Sequence, residues 1–371
     1  MFLLECRNEQ SNLWNRVFQR FPKVFLEEYT MRFFNLAALA AVSLAAAWPS
    51  CTRATKSSAV MQSQNTPAPT ATRVHDATPM IVLDSPYERR AQVYRGQLHA
   101  HTTNSDGKQS PAAVMTAYRA AGYDFVAITD HNVHTSDPHV SGVLFIPGVE
   151  NDYGCQHENR IDVGSLASGA RVPQDVIDRA RSEGSFVQIN HPDWPGSYPK
   201  NPCWSDKALL AVHDYDAVEV WNASDDDTNN NAEIRIDTLL SEGRRTFLTA
   251  VDDCHDVRAA YCMTSSVYVF ANTLSKSEVM AGLKRGNFYA SSGALISAIA
   301  VDRGVITIAV PTLSQIEFIA NCGRVVKNSP NVLGASYAAN GSEKTIRARV
   351  TAPNRRRAWT NPIDVVTKQT Q

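Results

Sequence analysis

The sequence predicts an α/β fold with a mainly parallel sheet, followed by a small all-β region. Short apolar runs alternate with helix-like segments between residues 92 and 292, and a glycine closes each helix-like segment. Beyond residue 296 the pattern changes to short alternating runs separated by Gly, Asn and Pro. Strands are read at 94–99, 125–129, 143–146, 186–190, 217–221 and 246–251. Ser110-Pro111 opens a helix with a capping side chain and a proline at its first position, and Gly122 ends it. Further helices span 173–183, 232–242 and 275–285, stopped by Gly184, Gly243 and Gly286. Repeated strand–helix units fit a sheet that is open or closed into a barrel.

The chain has 371 residues and a net charge of −1, enough for one large domain and a smaller one. No Lys/Arg run marks a polyanion groove, so no nucleic-acid partner is expected, and Arg355-Arg356-Arg357 reads as a solvated turn. Met31-Arg32 precedes an apolar stretch that ends in Ala45-Ala46-Ala47, which reads as an export signal over 31–51. Residues 1–30 fit no region of such a signal, so Met31 is read as the start and 1–30 as a non-native extension. Cys51 is a candidate acylation site for a membrane tether, although Trp48 stands where a Leu-like residue is expected. Residues 52–90 read as a flexible tether, mostly Ser, Thr, Ala, Gln and Pro up to Pro79. The location expected is periplasmic or lipid-anchored at the cell envelope.

Five cysteines fall in the globular part, so at most two disulfides form and one thiol stays free. Cys155 with Cys203 is the pairing we expect, the connectivity being otherwise open.

The chemistry concentrates in six histidines and three carboxylates: His99, His101, Asp106, His131, Glu150, His157, His191, Asp253 and His255. Most follow an apolar run directly, where an α/β sheet presents its active face. His99-Ala100-His101 sets two imidazoles on one side of an extended segment, and Asp253-Cys254-His255 repeats the geometry with one carboxylate. Any one of these histidines alone would be an ordinary surface or core residue. Six in register with strand ends suit two or three divalent cations. His134, His139 and His213 are read as loop residues, His75 as solvated in the tether, and Asp225-Asp226-Asp227 as a solvated loop. Glu219, at another strand end, is either a partner of a ligand or a paired core carboxylate.

The runs Leu98–Gly107, Thr129-Asp130-His131-Asn132, Pro147-Gly148-Val149-Glu150, Asn190-His191-Pro192 and Asp253-Cys254-His255 resemble the polymerase and histidinol phosphatase (PHP) superfamily. Gly286-Asn287-Phe288-Tyr289-Ala290-Ser291-Ser292-Gly293 and Arg357-Ala358-Trp359-Thr360-Asn361-Pro362-Ile363 resemble its CehA/McbA-type branch of exported metallohydrolases. The resemblance implies a distorted (β/α)7 barrel over 91–295, a small β-domain over 296–371, and two or three Mn, Fe or Zn ions on the nine residues above. It also implies hydrolysis of a small-molecule substrate by a metal-bound hydroxide. Glu150 and Asp253 would bridge or clamp metals, and Asp130 would orient His131 or a neighbouring ligand. We count Asp130, Glu150 and Asp253 as the catalytic carboxylates.

A phosphoester is the leading substrate expectation, with Arg160, Lys200 and Arg258 as the cationic contacts nearest the motifs. A carbamate, ester or amide is the alternative, marked by a pocket built from Trp194, Tyr198, Trp204 and Trp221. A metal-binding protein without turnover is the reading from another class. The chain has no GxSxG elbow, Walker A loop or GxGxxG. The sequence does not fix the oligomeric state.

Overall fold

A computed structural model describes residues 80–164, 172–194, 203–224 and 232–368, all within one compact unit. The expected export signal, the start at Met31, Cys51, His75, Asp225-Asp226-Asp227, Lys200 and Tyr198 lie outside the described residues.

The chain enters through β1 (Met80–Asp84) and β2 (Gln92–Gln97). It continues through helix α1 (Pro111–Ala120), β3 (Phe125–Ile128), β4 (Leu144–Tyr153), β5 (Gln156–Ile161), α2 (Pro173–Glu183) and β6 (Phe186–Ile189). Then come α3 (Asp206–Ala211), β7 (Ala217–Asn222), α4 (Ala232–Ser241) and β8 (Phe247–Val251). After β9 (Ser266–Ala271), α5 (Lys276–Arg285) and β10 (Phe288–Ser291), the chain is strand only. Those strands are β11 (Ala298–Asp302), β12 (Val305–Ala320), β13 (Arg324–Ala338), β14 (Thr345–Thr351), β15 (Arg357–Thr360) and β16 (Ile363–Lys368).

Local chemistry explains the helices. Ser110 caps α1 by accepting from the Ala113 N–H, with Pro111 at the first position, and Ser275 does the same for α5 through the Glu278 N–H. Gly184 and Gly286 close α2 and α5 in the left-handed conformation that only glycine adopts without strain.

The sheet order is β1-β16-β14-β15-β10-β9-β2-β3-β4-β5-β6-β7-β8, with β11, β12 and β13 attached through β14. Within β2 to β8 the pairing is parallel except around β5, which is antiparallel to both β4 and β6. The tail beyond β2 meets the tail beyond β8: Ala100 and Cys254 form a parallel bridge in which the His101 N–H donates to the Cys254 carbonyl at 2.9 Å. Three strands of this portion are buried on both faces, for Phe125–Ile128, Phe186–Ile189 and Phe247–Val251 expose almost nothing.

The late strands continue the sheet of the earlier ones, because β15 hydrogen-bonds to β10 with Ala290 opposite Trp359. At the other end of the described chain, β1 pairs along its whole length with β16 and buries Leu83 partly against the core beneath it. The fold is mixed α/β with a large sheet, broader than the barrel-plus-domain expectation.

Disulfides join Cys155 to Cys203, as expected, and Cys254 to Cys262, leaving Cys322 free and exposed.

Candidate metal centre

The nine ligand-type residues converge. His99 and His101 lie just beyond β2, His131 beyond β3, His191 beyond β6, and Asp253 and His255 beyond β8, all at strand C-terminal ends. Glu150 stands inside β4 and His157 inside β5, brought back over the site by the tight β4–β5 turn.

Glu150 is the hub. Its carboxylate lies 3.0 Å from His99 Nε2, 3.1 Å from His101 Nε2, 3.5 Å from His131 Nδ1, 3.0 Å from His157 Nδ1 and 3.3 Å from His191 Nε2. Asp253 Oδ1 lies 3.2 Å from both His99 Nε2 and His101 Nε2. Asp106 approaches His255 at 3.3 Å, His101 at 3.5 Å and His131 at 3.7 Å. Three groups place their ligand atoms within 4.8 Å of one another: His99, His101, Glu150 and Asp253; His101, Asp106, His131 and His255; and His131, Glu150 and His157.

His99, His157 and His191 hydrogen-bond to Glu150, but these bonds do not satisfy every polar atom of the cluster. His101 Nδ1 and Nε2, His131 Nδ1, His191 Nδ1 and Asp253 Oδ1 are buried with no hydrogen-bond partner. Such orphaned polar atoms cost free energy unless another ligand satisfies them. Lone pairs from imidazole and carboxylate converging on shared points are the donor set of divalent transition metals. The buried cluster therefore fits a multi-metal site.

Electrostatics follow from crowding. Burial opposes a charged His99, but Asp253, Glu150 and Glu219 outweigh it and hold its pKa well above the usual value. His101, also opposed by burial, is raised to about 9 by Asp253 and Glu150. Burial would raise Glu150 and Asp253; the imidazoles around them instead hold both well below the carboxylate range. His131, half-buried, is lowered chiefly by desolvation.

A second layer orients the first. Glu219 lies 2.7 Å from His99 Nδ1 and accepts from the Gln188 amide, the Asn222 amide and the His191 N–H. Of the two readings of Glu219, the one as partner of a ligand holds. Asn190 donates to Glu150 at 2.9 Å, and Ser224 donates to Asp253 Oδ2 at 2.9 Å. Asp252, its pKa raised to about 6 by burial, accepts from Gln97, Tyr118 and the N–H groups of Met263, Thr264 and Ser265, which fixes the chain on either side of Asp253. Asp253 (φ 52°) and His191 (φ 26°) occupy left-handed backbone that non-glycine residues avoid. Gly107 lets the Asp106 loop pass His101, for a Cβ there would sit 2.5 Å from the His101 carbonyl carbon.

Three residues named from the sequence sit beside or away from the cluster. Of the two positions open to Asp130, beside His131 or beside a neighbouring ligand candidate, it takes the second: its oxygens accept from the Thr102 N–H and hydroxyl, Ser105 and Thr135, so it anchors the loop carrying Asp106. Arg160 is wholly buried, donating to Asn151 and pairing with Glu183 against α2. Arg258 is exposed and spends its guanidinium on Asp256. Neither reaches the cleft over the centre, about 300 Å³, whose described lining adds only Trp194 and Ser224 to the ligands. Trp204 is buried beneath, donating to the His157 carbonyl, and Trp221 stacks on Trp359. Sequence reasoning missed Asp252, Asn190 and Ser224, although Asp252 and Asn190 each directly precede a ligand.

The fold and site define an α/β protein with a buried multi-histidine, multi-carboxylate centre at its strand ends. No family model matches the chain, and no curated protein matches it. Among solved structures, the chain is similar to a two-domain protein of Bacteroides vulgatus containing a predicted PHP-like metal-dependent phosphoesterase (16% identity, 76% of this chain and 97% of that one, TM-score 0.45). It is also similar to a lesion-specific endonuclease of Pyrococcus furiosus (15% identity, 52% and 56% covered, TM-score 0.39). A third is an amidohydrolase of Chromobacterium violaceum with bound sulfate and no metal (14% identity, 43% and 87% covered, TM-score 0.33). Similarity at this level lends this chain none of their activities.

Proposed function

We propose that this chain is a multinuclear metal-dependent hydrolase of the PHP superfamily, of the exported CehA/McbA type. The carrying observation is Glu150, one buried carboxylate approached by five imidazoles within 3.5 Å. The finer fold reading is the distorted seven-stranded barrel of that superfamily. It is supported by the Ala100–Cys254 bridge, which brings the two ends of the β2-to-β8 series together.

His99, His101, Glu150 and Asp253 would hold one ion; Asp106, His131 and His255 with His101, and His157 with His131 and Glu150, would hold the others. Divalent ions in these positions supply Lewis acidity toward a substrate oxygen and ease ionisation of water near neutrality. The protein's own part is to keep Glu150 and Asp253 ionised and to fix the imidazole tautomers from behind. It also presents a small cleft in which Trp194 packs against the His157 and His191 rings at 5.5 and 5.2 Å.

A small phosphoester is the leading substrate. A second reading, an aryl carbamate, ester or amide, is favoured by Trp194 together with a described cleft lining that has no Lys or Arg. The purified chain, assayed for metal content and for hydrolysis of phosphomonoesters against aryl carbamates and esters, separates these. Metal without turnover of either would support a binding protein, and full activity in His99→Ala and Asp253→Ala would refute the catalytic reading.

A further inference from the structure

A second cavity lies away from the metal centre, at the strand N-terminal end of the sheet. It measures about 600 Å³ and collects residues from helix C-terminal ends and strand N-terminal ends: Arg181 near the end of α2, Tyr215 before β7, Arg244 and Arg245 before β8, and Lys284 and Arg285 at the end of α5. Five cations and two carboxylates, Asp214 and Asp216, therefore face one cleft in a chain whose net charge is −1.

Basic residues in a last helical turn are favoured by the helix dipole, which accounts for Arg181, Lys284 and Arg285 one at a time. It does not account for Arg244 and Arg245, which follow Gly243 outside any helix. Nor does it account for the convergence of four chain segments. The carboxylates nearby are already engaged: Asp216 accepts from the Val187 N–H and pairs with Arg181, and Asp214 pairs with His213. Arg245 reaches Asp364 only at 3.5 Å, and Arg244 donates to the Leu210 carbonyl, which leaves its charge uncompensated. Among the described residues, Lys284 and Arg285 have no ion-pair or side-chain hydrogen-bond partner. Tyr215 is 8% exposed, lines the same cleft, and its hydroxyl has no hydrogen-bond partner. A buried hydroxyl without a partner beside cations that lack ion pairs is the donor set that suits an oxyanion.

We propose that this cleft binds a multiply charged phosphate-type oxyanion, separately from the metal centre, with Arg244, Lys284 and Arg285 supplying charge and the Tyr215 hydroxyl one directed hydrogen bond. A phosphorylated small molecule and an anionic membrane headgroup share that chemistry.

The test titrates pyrophosphate calorimetrically into the full chain, into Arg244→Glu/Lys284→Glu, into the milder Lys284→Gln/Arg285→Gln, and into Asp253→Asn, each checked for an unchanged circular dichroism melt. A parallel arm sediments the same proteins with vesicles of phosphatidylglycerol in phosphatidylcholine. The expected result is binding weakened at least tenfold by both cleft variants and retained in Asp253→Asn. Binding of pyrophosphate assigns a soluble ligand, and binding of vesicles alone assigns a headgroup. Binding that survives both cleft variants but is lost in Asp253→Asn belongs to the metal centre and overturns the proposal, as does the absence of binding in both arms. Because hydrolytic activity is not read, failure here leaves the proposed hydrolase untouched.

Discussion

His99 Nδ1 lies 2.7 Å from Glu219 Oε1, so the ring proton on that side is shared with a carboxylate and Nε2 is turned toward Glu150 and Asp253. The pair sets both the tautomer and the ring plane of a buried ligand. Glu219→Gln keeps the shape but replaces an acceptor with an amide. We expect metal affinity to fall about 10- to 100-fold with little change in the folded spectrum, measured by competition with a chromogenic chelator.

The Cys254–Cys262 disulfide closes a short loop that begins beside Asp253, contains His255 and ends before the strand β9. Cys254→Ser/Cys262→Ser is expected to cost about 2–3 kcal/mol of stability through loop entropy. It should also weaken metal retention, since His255 loses its covalent brace; thermal melts and metal content after dialysis report the two effects separately.

Trp194 is the aromatic side chain in the described lining of the metal cleft. Trp194→Ala should raise KM for an aryl carbamate or aryl ester several-fold while changing that for a small aliphatic phosphomonoester less. Equal effects on both substrates would remove the aromatic-substrate reading.

Away from the site, Arg347 is 2% exposed and pairs with Glu233 at 2.8 Å and Asp237 at 2.7 Å, both on α4, while Arg349 joins Glu233 to Glu317. This network ties α4 to the late strands β14 and β12. Arg347→Ala strands Asp237, leaves Glu233 with Arg349 alone, and is expected to cost about 3–5 kcal/mol. Burial alone would raise the Glu233 pKa, but the two guanidiniums outweigh it and hold it below its ordinary 4.5. A lowered folded pKa means that stability is present above about pH 4.5 and is lost as pH falls through the folded value. Denaturant melts should therefore weaken below pH 4.5, and less steeply in Glu233→Gln.

Much of this was legible in the sequence because each strand–helix unit carries its own punctuation. Gly184 and Gly286 stop α2 and α5 where expected, and the buried runs Phe125–Ile128 and Phe186–Ile189 need no tertiary context to be read as strands. The cluster of candidate ligands was readable for the same reason, since most of it follows those runs directly. Strand β5 was not: Gln156-His157-Glu158-Asn159-Arg160 is polar throughout, and its burial depends on β4 and β6 on either side. Alternation along β5 sends Arg160 to the face opposite His157, a direction that its nearness in sequence to the motifs does not reveal. Asp130 was legible only as one of two alternatives. Adjacency to a ligand does not say which way a carboxylate turns, and the hydroxyls of Thr102, Ser105 and Thr135 claim this one.

The central claim is a shared-carboxylate, multi-metal centre around Glu150. Elemental analysis of metal per chain, in the wild type and in Glu150→Gln after identical reconstitution with Mn, Fe or Zn, tests it most directly. The account predicts two or three ions per chain in the wild type and a loss of at least one in Glu150→Gln. A wild-type chain that holds no metal, or a Glu150→Gln chain that holds as much as wild type, would contradict it.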